Sequence, residues 1–215
     1  MSFGRLITIE GLDGSGKTTL AAGLEDELRS RGLDVRVLRE PGGVEVAERI
    51  RGLVHDPALE ISPRSEALLF AAARAQLVEE ALEPVLRTGA WVVLDRFVDS
   101  SLAYQGGGRG LGIEPIAEIN RFATGGLKPD RTFLLTVSPQ LGRARSRARN
   151  ETPDRLEREH DEFFARVAEA YIELANTDPG RIRSLDASKP PEQVLQAAIS
   201  QLEDLLPPEN KPGHQ

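Results

Sequence analysis

The stretch Gly11-Leu12-Asp13-Gly14-Ser15-Gly16-Lys17-Thr18 has the spacing G-x-x-x-x-G-K-[ST]. Its glycines allow successive backbone N–H groups to turn inward as an anion nest, and a helix opening at the lysine adds positive potential there. In a loop of this kind Lys17 reaches the β- and γ-phosphates of ATP, and the Thr18 hydroxyl binds Mg²⁺. A glycine-rich turn ahead of a helix is the plainer explanation. It does not require the order found here, in which apolar Leu6-Ile7-Thr8-Ile9 precedes the loop and a helical pattern follows it. A second apolar run, Trp91-Val92-Val93-Leu94, ends in Asp95. Aspartate at a strand end is an ordinary turn former. Beside a P-loop, the same carboxylate holds the Mg²⁺ or one of its waters.

Arg143, Arg145, Arg147 and Arg149 form a dense basic run in a chain of net charge −7. On a helix, Arg143 and Arg147 share one face and Arg145 and Arg149 another, so only some of them can point at phosphates. The rest form a solvated face. Asn150-Glu151-Thr152-Pro153 follows as a loop, which fits a lid that closes over phosphates. His55, His160 and His214 stand alone in the sequence and read as surface or capping residues.

The acidic balance argues against general nucleic-acid binding, which depends on neutralising phosphates. With no cysteine, disulfides and cysteine-ligated metals are excluded. No apolar run approaches the length of a membrane helix. The start, Met1-Ser2-Phe3-Gly4-Arg5, lacks the order of a secretory signal, and the expected location is the cytoplasm.

Five apolar runs, at 6–10, 35–38, 91–94, 132–137 and 182–186, read as strands buried on both faces. Helices are expected at 18–31, from Pro63 toward Thr88-Gly89, and at 113–123, 140–149, 158–176 and 191–206. Ser62 caps the helix that begins at Pro63, and Pro84 should kink it or end it early. Strands alternating with helices imply a three-layer α/β domain on a parallel sheet, a single domain over 1–206. The polar, proline-rich tail at 207–215 is expected to be disordered.

A P-loop alone does not specify a reaction. There is no Asn-Lys-x-Asp guanine-reading motif, only the imperfect Asn210-Lys211-Pro212-Gly213. At 215 residues the chain suits a small acceptor kinase. Several segments together resemble the bacterial thymidylate kinases. They are Glu10-Gly11-Leu12-Asp13-Gly14-Ser15-Gly16-Lys17-Thr18-Thr19, Arg39-Glu40-Pro41-Gly42-Gly43, Phe70-Ala71-Ala72-Ala73-Arg74 and Asp95-Arg96-Phe97. Further along come Ala103-Tyr104-Gln105-Gly106-Gly107-Gly108-Arg109-Gly110, Asp154-Arg155-Leu156-Glu157 and Leu185-Asp186-Ala187-Ser188.

The resemblance implies a P-loop kinase fold with a five-stranded parallel sheet and a short lid at 143–157. It also implies a homodimer that uses ATP and Mg²⁺ to convert dTMP to dTDP, on the route to dTTP. By the same resemblance Arg96 bridges the donor and acceptor phosphates, while Arg39 and Arg51 bind the acceptor phosphate. Read plainly, Arg51 is a surface helix residue. Phe70 would stack on thymine and Arg74 would hydrogen-bond its O4; read plainly, Phe70 is core and Arg74 solvated. Asp13 would accept from the 3′-hydroxyl, and Ser101, Tyr104 and Gln105 would contact base and sugar, Tyr104 crowding any 2′-hydroxyl. Asp186 would lie beside adenine, Arg143 would contact ATP, and the Glu40–Pro41 bond would be cis. Some members of the family carry an arginine inside the P-loop and others in the lid. Leu12, Asp13, Gly14 and Ser15 include no base, so the lid must supply it, through Arg147, Arg149 or both.

A phosphate monoester is mostly a dianion at neutral pH, its second pKa lying near about 6, so such a reaction needs no general base. Another nucleoside monophosphate kinase, a deoxynucleoside kinase, and a nucleotide-binding switch without an acceptor are the competing readings.

Overall fold

A computed structural model of the chain describes residues 3–147 and 154–207, with backbone alone for Pro139, Arg143, Ser146 and Arg147. Its strands are β1 (Leu6–Gly11), β2 (Val35–Arg39), β3 (Trp91–Asp95), β4 (Arg131–Thr136) and β5 (Ile182–Asp186). They form one parallel sheet in the order β2-β3-β1-β4-β5. The five runs read from the sequence are these strands, with ends that differ by a residue at most.

Alternation along each strand sends side chains to two different layers. Ile7, Ile9, Val93, Phe133 and Leu135 pack with α1 (Lys17–Ser30) and α9 (Pro191–Ser200). On the opposite face Leu6, Val92 and Leu94 meet α3 (Pro63–Leu77) and its continuation, while Leu134 and Ile182 meet α8 (Asp161–Thr177). Thr8 and Glu10 share that second face by register, and both are fully buried. The polar groups under the sheet's functional end are therefore a direct product of strand period.

The remaining helices are α2 (Glu45–His55), α4 (Glu83–Arg87), α5 (Val98–Ser101), α6 (Ile113–Ala123) and α7 (Pro139–Arg147). α2 was not among the expected helices; it follows Gly42-Gly43 and contains Gly52 and three β-branched residues that weaken its helical signal. The α-helix from Pro63 runs to Leu77, seven residues before Pro84. A π-helical turn over Val78–Leu82 intervenes, and Pro84 sits in the first turn of α4, where a missing N–H costs little. Helix α8 starts at Asp161 rather than 158, and α9 stops at Ser200 with turns beyond it. The expected disorder of the tail concerns, from 208 onward, residues outside the described ones.

A second π-helical turn, Leu102–Gly108, follows α5 and lies against α8. A Cβ on Gly107 would come 2.6 Å from the Cβ of Ala170, and one on Gly108 2.6 Å from the Phe163 ring. Glycine at both places lets α8 approach closely enough to bring Tyr171 beneath the sheet's carboxyl end.

Candidate active site

The ends of β1 and β3 open into a cleft of about 660 Å³. Ligands in open α/β sheets bind outside the carboxyl ends of the strands, and β1 here is flanked by strands reached in opposite directions from it. Gly11 closes β1 with a φ of 138°, and a Cβ there would lie 2.6 Å from the Leu135 carbonyl oxygen. Gly16, also at positive φ, caps α1. Asp13, Gly14, Gly16, Lys17, Thr18 and Thr19 line the cleft. Leu12 instead turns into the core against Tyr104 and Leu134, and Ser15 is buried beside Gly11.

Lys17 Nζ donates to the carbonyls of Gly11 and Leu12 at 3.3 and 3.1 Å and lies 3.8 Å from Asp13. Burial lowers its pKa to about 8, aided by repulsion from Arg96 and opposed by Asp13, Asp95 and Glu10. Thr18 Oγ1 donates to Asp95 Oδ2 at 3.3 Å. The hydroxyl and carboxylate expected to serve a divalent cation therefore face each other.

Arg96 has a φ of 71°, the one positive φ among the described non-glycine residues. Its Nη2 donates to Asp13 Oδ1 at 2.7 Å and to Tyr104 Oη at 3.3 Å, and its Cζ lies 5.0 Å from the Tyr104 ring centre. Its Nη1 donates to Ser100 Oγ at 3.1 Å and to Tyr171 Oη at 3.5 Å. Beneath it Glu10 accepts from Phe97 N, Ser100 N, Ser100 Oγ and Tyr171 Oη. Burial, reinforced by Asp99, pushes the Glu10 pKa up to about 7 against those hydrogen bonds.

Across the cleft, Phe70 is half-buried and edge-on to His55, their ring centres 6.4 Å apart. The plain reading of Arg74 as solvated is overturned, for it is 2% exposed. Its Nε and Nη2 reach Glu40 Oε2 at 2.8 and 2.5 Å, Nη1 reaches Ser101 Oγ at 2.8 Å and also Asn120, and Nη2 reaches the Phe97 carbonyl at 2.9 Å. All five N–H groups of the guanidinium are engaged. The second oxygen of Glu40 is buried without a partner, and burial raises that carboxyl's pKa against the pull of Arg74. The Glu40–Pro41 bond is cis.

Arg39, paired with Glu48 at 3.4 Å, and Arg51, held by the Pro41 carbonyl at 3.0 Å, reach the same cleft, as do Ser101, Tyr104 and Gln105. Arg51 lies on α2 but is not a plain surface residue. Asp186 does not line this cleft. It is exposed, accepts from Ser188, and borders a separate groove with Lys189 and Gln193. Of the basic run, Arg145 is the member whose side chain is described; it lines the cleft and donates to the Ala187 carbonyl at 2.9 Å. Arg143 and Arg147 are described in backbone only, and Arg149 lies outside the described residues.

Sequence reading missed several participants. His55 is no isolated surface group: it lines the cleft, its Nδ1 3.0 Å from the Arg51 carbonyl and its Nε2 3.6 Å from Asp154. His160 stands at the head of α8 without a side-chain cap, and His214 lies outside the described residues. Glu66, fully buried on α3, accepts from Gln105, Arg109 and Arg155. Arg155 also donates to the Val54 carbonyl, which seats Asp154, Leu156 and Glu157 at the cleft wall. The one signal for Glu10 and Glu66 is a carboxylate inside an otherwise core-facing stripe.

A sequence model of the family described as thymidylate kinase matches residues 9–198. Among curated proteins, the chain is 48% identical over 204 residues to the thymidylate kinase of Deinococcus radiodurans, covering 94% of this chain and 98% of that one. It is 47% identical over 200 residues to that of Alkalilimnicola ehrlichii, covering 92% and 91%. With the Halorhodospira halophila thymidylate kinase it shares 44% over 211 residues, covering 97% and 98%.

A polyphosphate beside Lys17 restores the protonated form that burial disfavours. Affinity for a nucleoside triphosphate should therefore be full below pH 8 and fall as pH rises through about 8. Titration calorimetry at pH 8.5 in buffers of different ionisation enthalpy should report uptake of roughly half to one proton per site, fading at pH 7. Binding at pH 8.5 with no proton uptake would contradict this.

Proposed function

The chain belongs to the thymidylate kinase family, and we propose that it moves the γ-phosphoryl group of ATP onto dTMP by positioning and charge, without a general base. The observation that carries the reading is one cleft into which a P-loop lysine, a strand-end arginine and two acceptor-side arginines all open. Two polyanions cannot be brought together in water without such charge, and preorganised donors are worth most where water is excluded.

In this reading the triphosphate lies in the loop 11–19 against Lys17, with Arg143 alongside and Asp186 toward the adenine. Thr18 and Asp95 hold Mg²⁺. Their facing oxygens fit that ion. Mg²⁺ keeps several waters and takes phosphate oxygens, so two protein oxygens suffice to anchor it. When bound, the ion neutralises and orients the β- and γ-phosphates.

dTMP lies opposite. Phe70 stacks on the base, Ser101 and Gln105 meet its edge and Tyr104 leaves no room for a 2′-hydroxyl. Arg39 and Arg51 take the phosphate. Arg74 donates to the base only by sharing an N–H or releasing Ser101, because its donors are already in use. Asp13 accepts from the 3′-hydroxyl and Arg96 turns from Asp13 toward the phosphates between which it stands. Lid arginines, Arg147 or Arg149, complete the charge on the transferring group. A cytoplasmic location, with nucleotides rather than nucleic acid as partners, belongs to the same reading.

Coupled assay of ADP formation over dTMP, dUMP, dCMP, dGMP and thymidine should show preference for dTMP, with dUMP the nearest rival. Preference for any other acceptor, or ADP formation indifferent to acceptor, would reject the proposal. In the same assay, alanine at all four of Arg143, Arg145, Arg147 and Arg149 should lower turnover by about 100-fold or more. A rate near that of the unaltered chain would remove the lid from the mechanism.

We also propose a homodimer. α2, α3 and α6 leave Leu53, Leu68 and Phe122 exposed, the last by 91%. α3 packs against both of the other helices. Sedimentation should give twice the mass of one chain, and Phe122→Glu should shift it toward the single chain. A monomer at micromolar concentration would contradict the proposal.

A further inference from the structure

We propose that Glu10 and Tyr171 are positioning residues for Arg96, acting on its guanidinium through the hydroxyls of Ser100 and Tyr171. Glu10 is fully buried at the end of β1, one residue before the P-loop begins. Its Oε1 accepts the backbone N–H groups of Phe97 at 2.8 Å and Ser100 at 3.2 Å, and so holds the turn that follows β3. Its Oε2 accepts the Ser100 hydroxyl at 2.5 Å and the Tyr171 hydroxyl at 2.9 Å.

A hydroxyl carries one hydrogen and two lone pairs. With the hydrogens of Ser100 and Tyr171 directed to Glu10, lone pairs remain for Arg96, whose Nη1 lies 3.1 Å from one oxygen and 3.5 Å from the other. Glu10 makes no hydrogen bond to Arg96 itself; besides the direct Coulombic attraction between them, it acts on the guanidinium through the two hydroxyls it orients. Nη2 is set separately, by Asp13 and Tyr104. The two guanidinium nitrogens are thus gripped from opposite sides. This grip matters more because Arg96 holds a left-handed backbone that persists only where its surroundings over-determine it.

Packing does not account for the Tyr171 hydroxyl. Its ring lies in the apolar cluster of Tyr104, Phe163 and Val167, a place that phenylalanine would fill equally well. What the oxygen adds is its link to Glu10, Ser100 and Arg96. The residue arrives from α8, 75 positions beyond Arg96, and nothing in its local sequence marks it.

The inference rests on the proposed role of Arg96 in phosphoryl transfer, and a double-mutant cycle separates the two. Steady-state kinetics with ATP and dTMP would be measured for Tyr171→Phe, Arg96→Ala and the double variant. Tyr171→Phe should lower kcat roughly tenfold while leaving both KM values within about twofold. In the Arg96→Ala background it should have no further effect. Ser100→Ala, which removes the other hydroxyl, should behave alike. Unchanged kcat in Tyr171→Phe, or an equal loss in the Arg96→Ala background, would overturn the inference alone. A normal rate in Arg96→Ala would overturn the reading of Arg96, and this inference with it.

Discussion

Cations that will meet phosphates must first be held beside one another, and here one carboxylate does much of that. Asp13 lies 2.7 Å from Arg96 and 3.8 Å from Lys17, and it joins the P-loop after β1 to the turn after β3. Without it the two charges would repel across a poorly solvated gap, a repulsion that adds to burial in lowering the pKa of Lys17. The sheet makes the meeting possible, since the register pairs Asp95, the last residue of β3, with Ile9 and so sets the turn after β3 beside the last residues of β1. In the proposed function, phosphates would replace Asp13 as the partner of both cations. The loop's acidic residue, awkward in a phosphate site, becomes the group that keeps the site in readiness.

The same device recurs one layer out, where single buried carboxylates each gather several donors. Glu66 collects Gln105, Arg109 and Arg155, and its hydrogen bonds from Arg109 and Gln105 overcome burial to hold its pKa low. Glu40 collects Arg74, and Glu10 the turn beneath Arg96. Each ties elements far apart in sequence to the cleft wall. Removing one partner from such a set leaves a buried charge uncompensated, which is far more costly than losing an exposed ion pair. The cleft wall is therefore tied together by these hubs, one of which, Glu40, also lines it.

How much of this the sequence discloses follows from the range of each interaction. The P-loop, the strands and the stripe bearing Phe70 and Arg74 are local patterns, and they are where the spacing puts them. The acidic strand end at Asp95 is equally local. Glu10, Glu66 and Tyr171 escape because their meaning lies in partners 39 to 161 residues away, and a buried charge looks solvated until its partner is known. Arg74 shows the same blindness in reverse, since four a turn on from Phe70 says nothing of Glu40 behind it. Helix α2 hides behind glycines and β-branched residues, and His55 at its end therefore looks isolated. Pro84 predicts a break, and the α-helix indeed gives way to a π-helical turn, after which Pro84 sits in the first turn of α4.

Arg96, held beside Asp13 until phosphate arrives, is proposed to stabilise charge on the transferring phosphoryl group. Rapid-quench measurement of the transfer step from ATP to dTMP in Arg96→Lys tests it most directly, because lysine keeps the charge and loses the planar fork. The transfer rate should fall by about 100-fold or more while both substrates still bind within a few-fold of normal. Transfer at the rate of the unaltered chain, with substrates bound, would contradict the account.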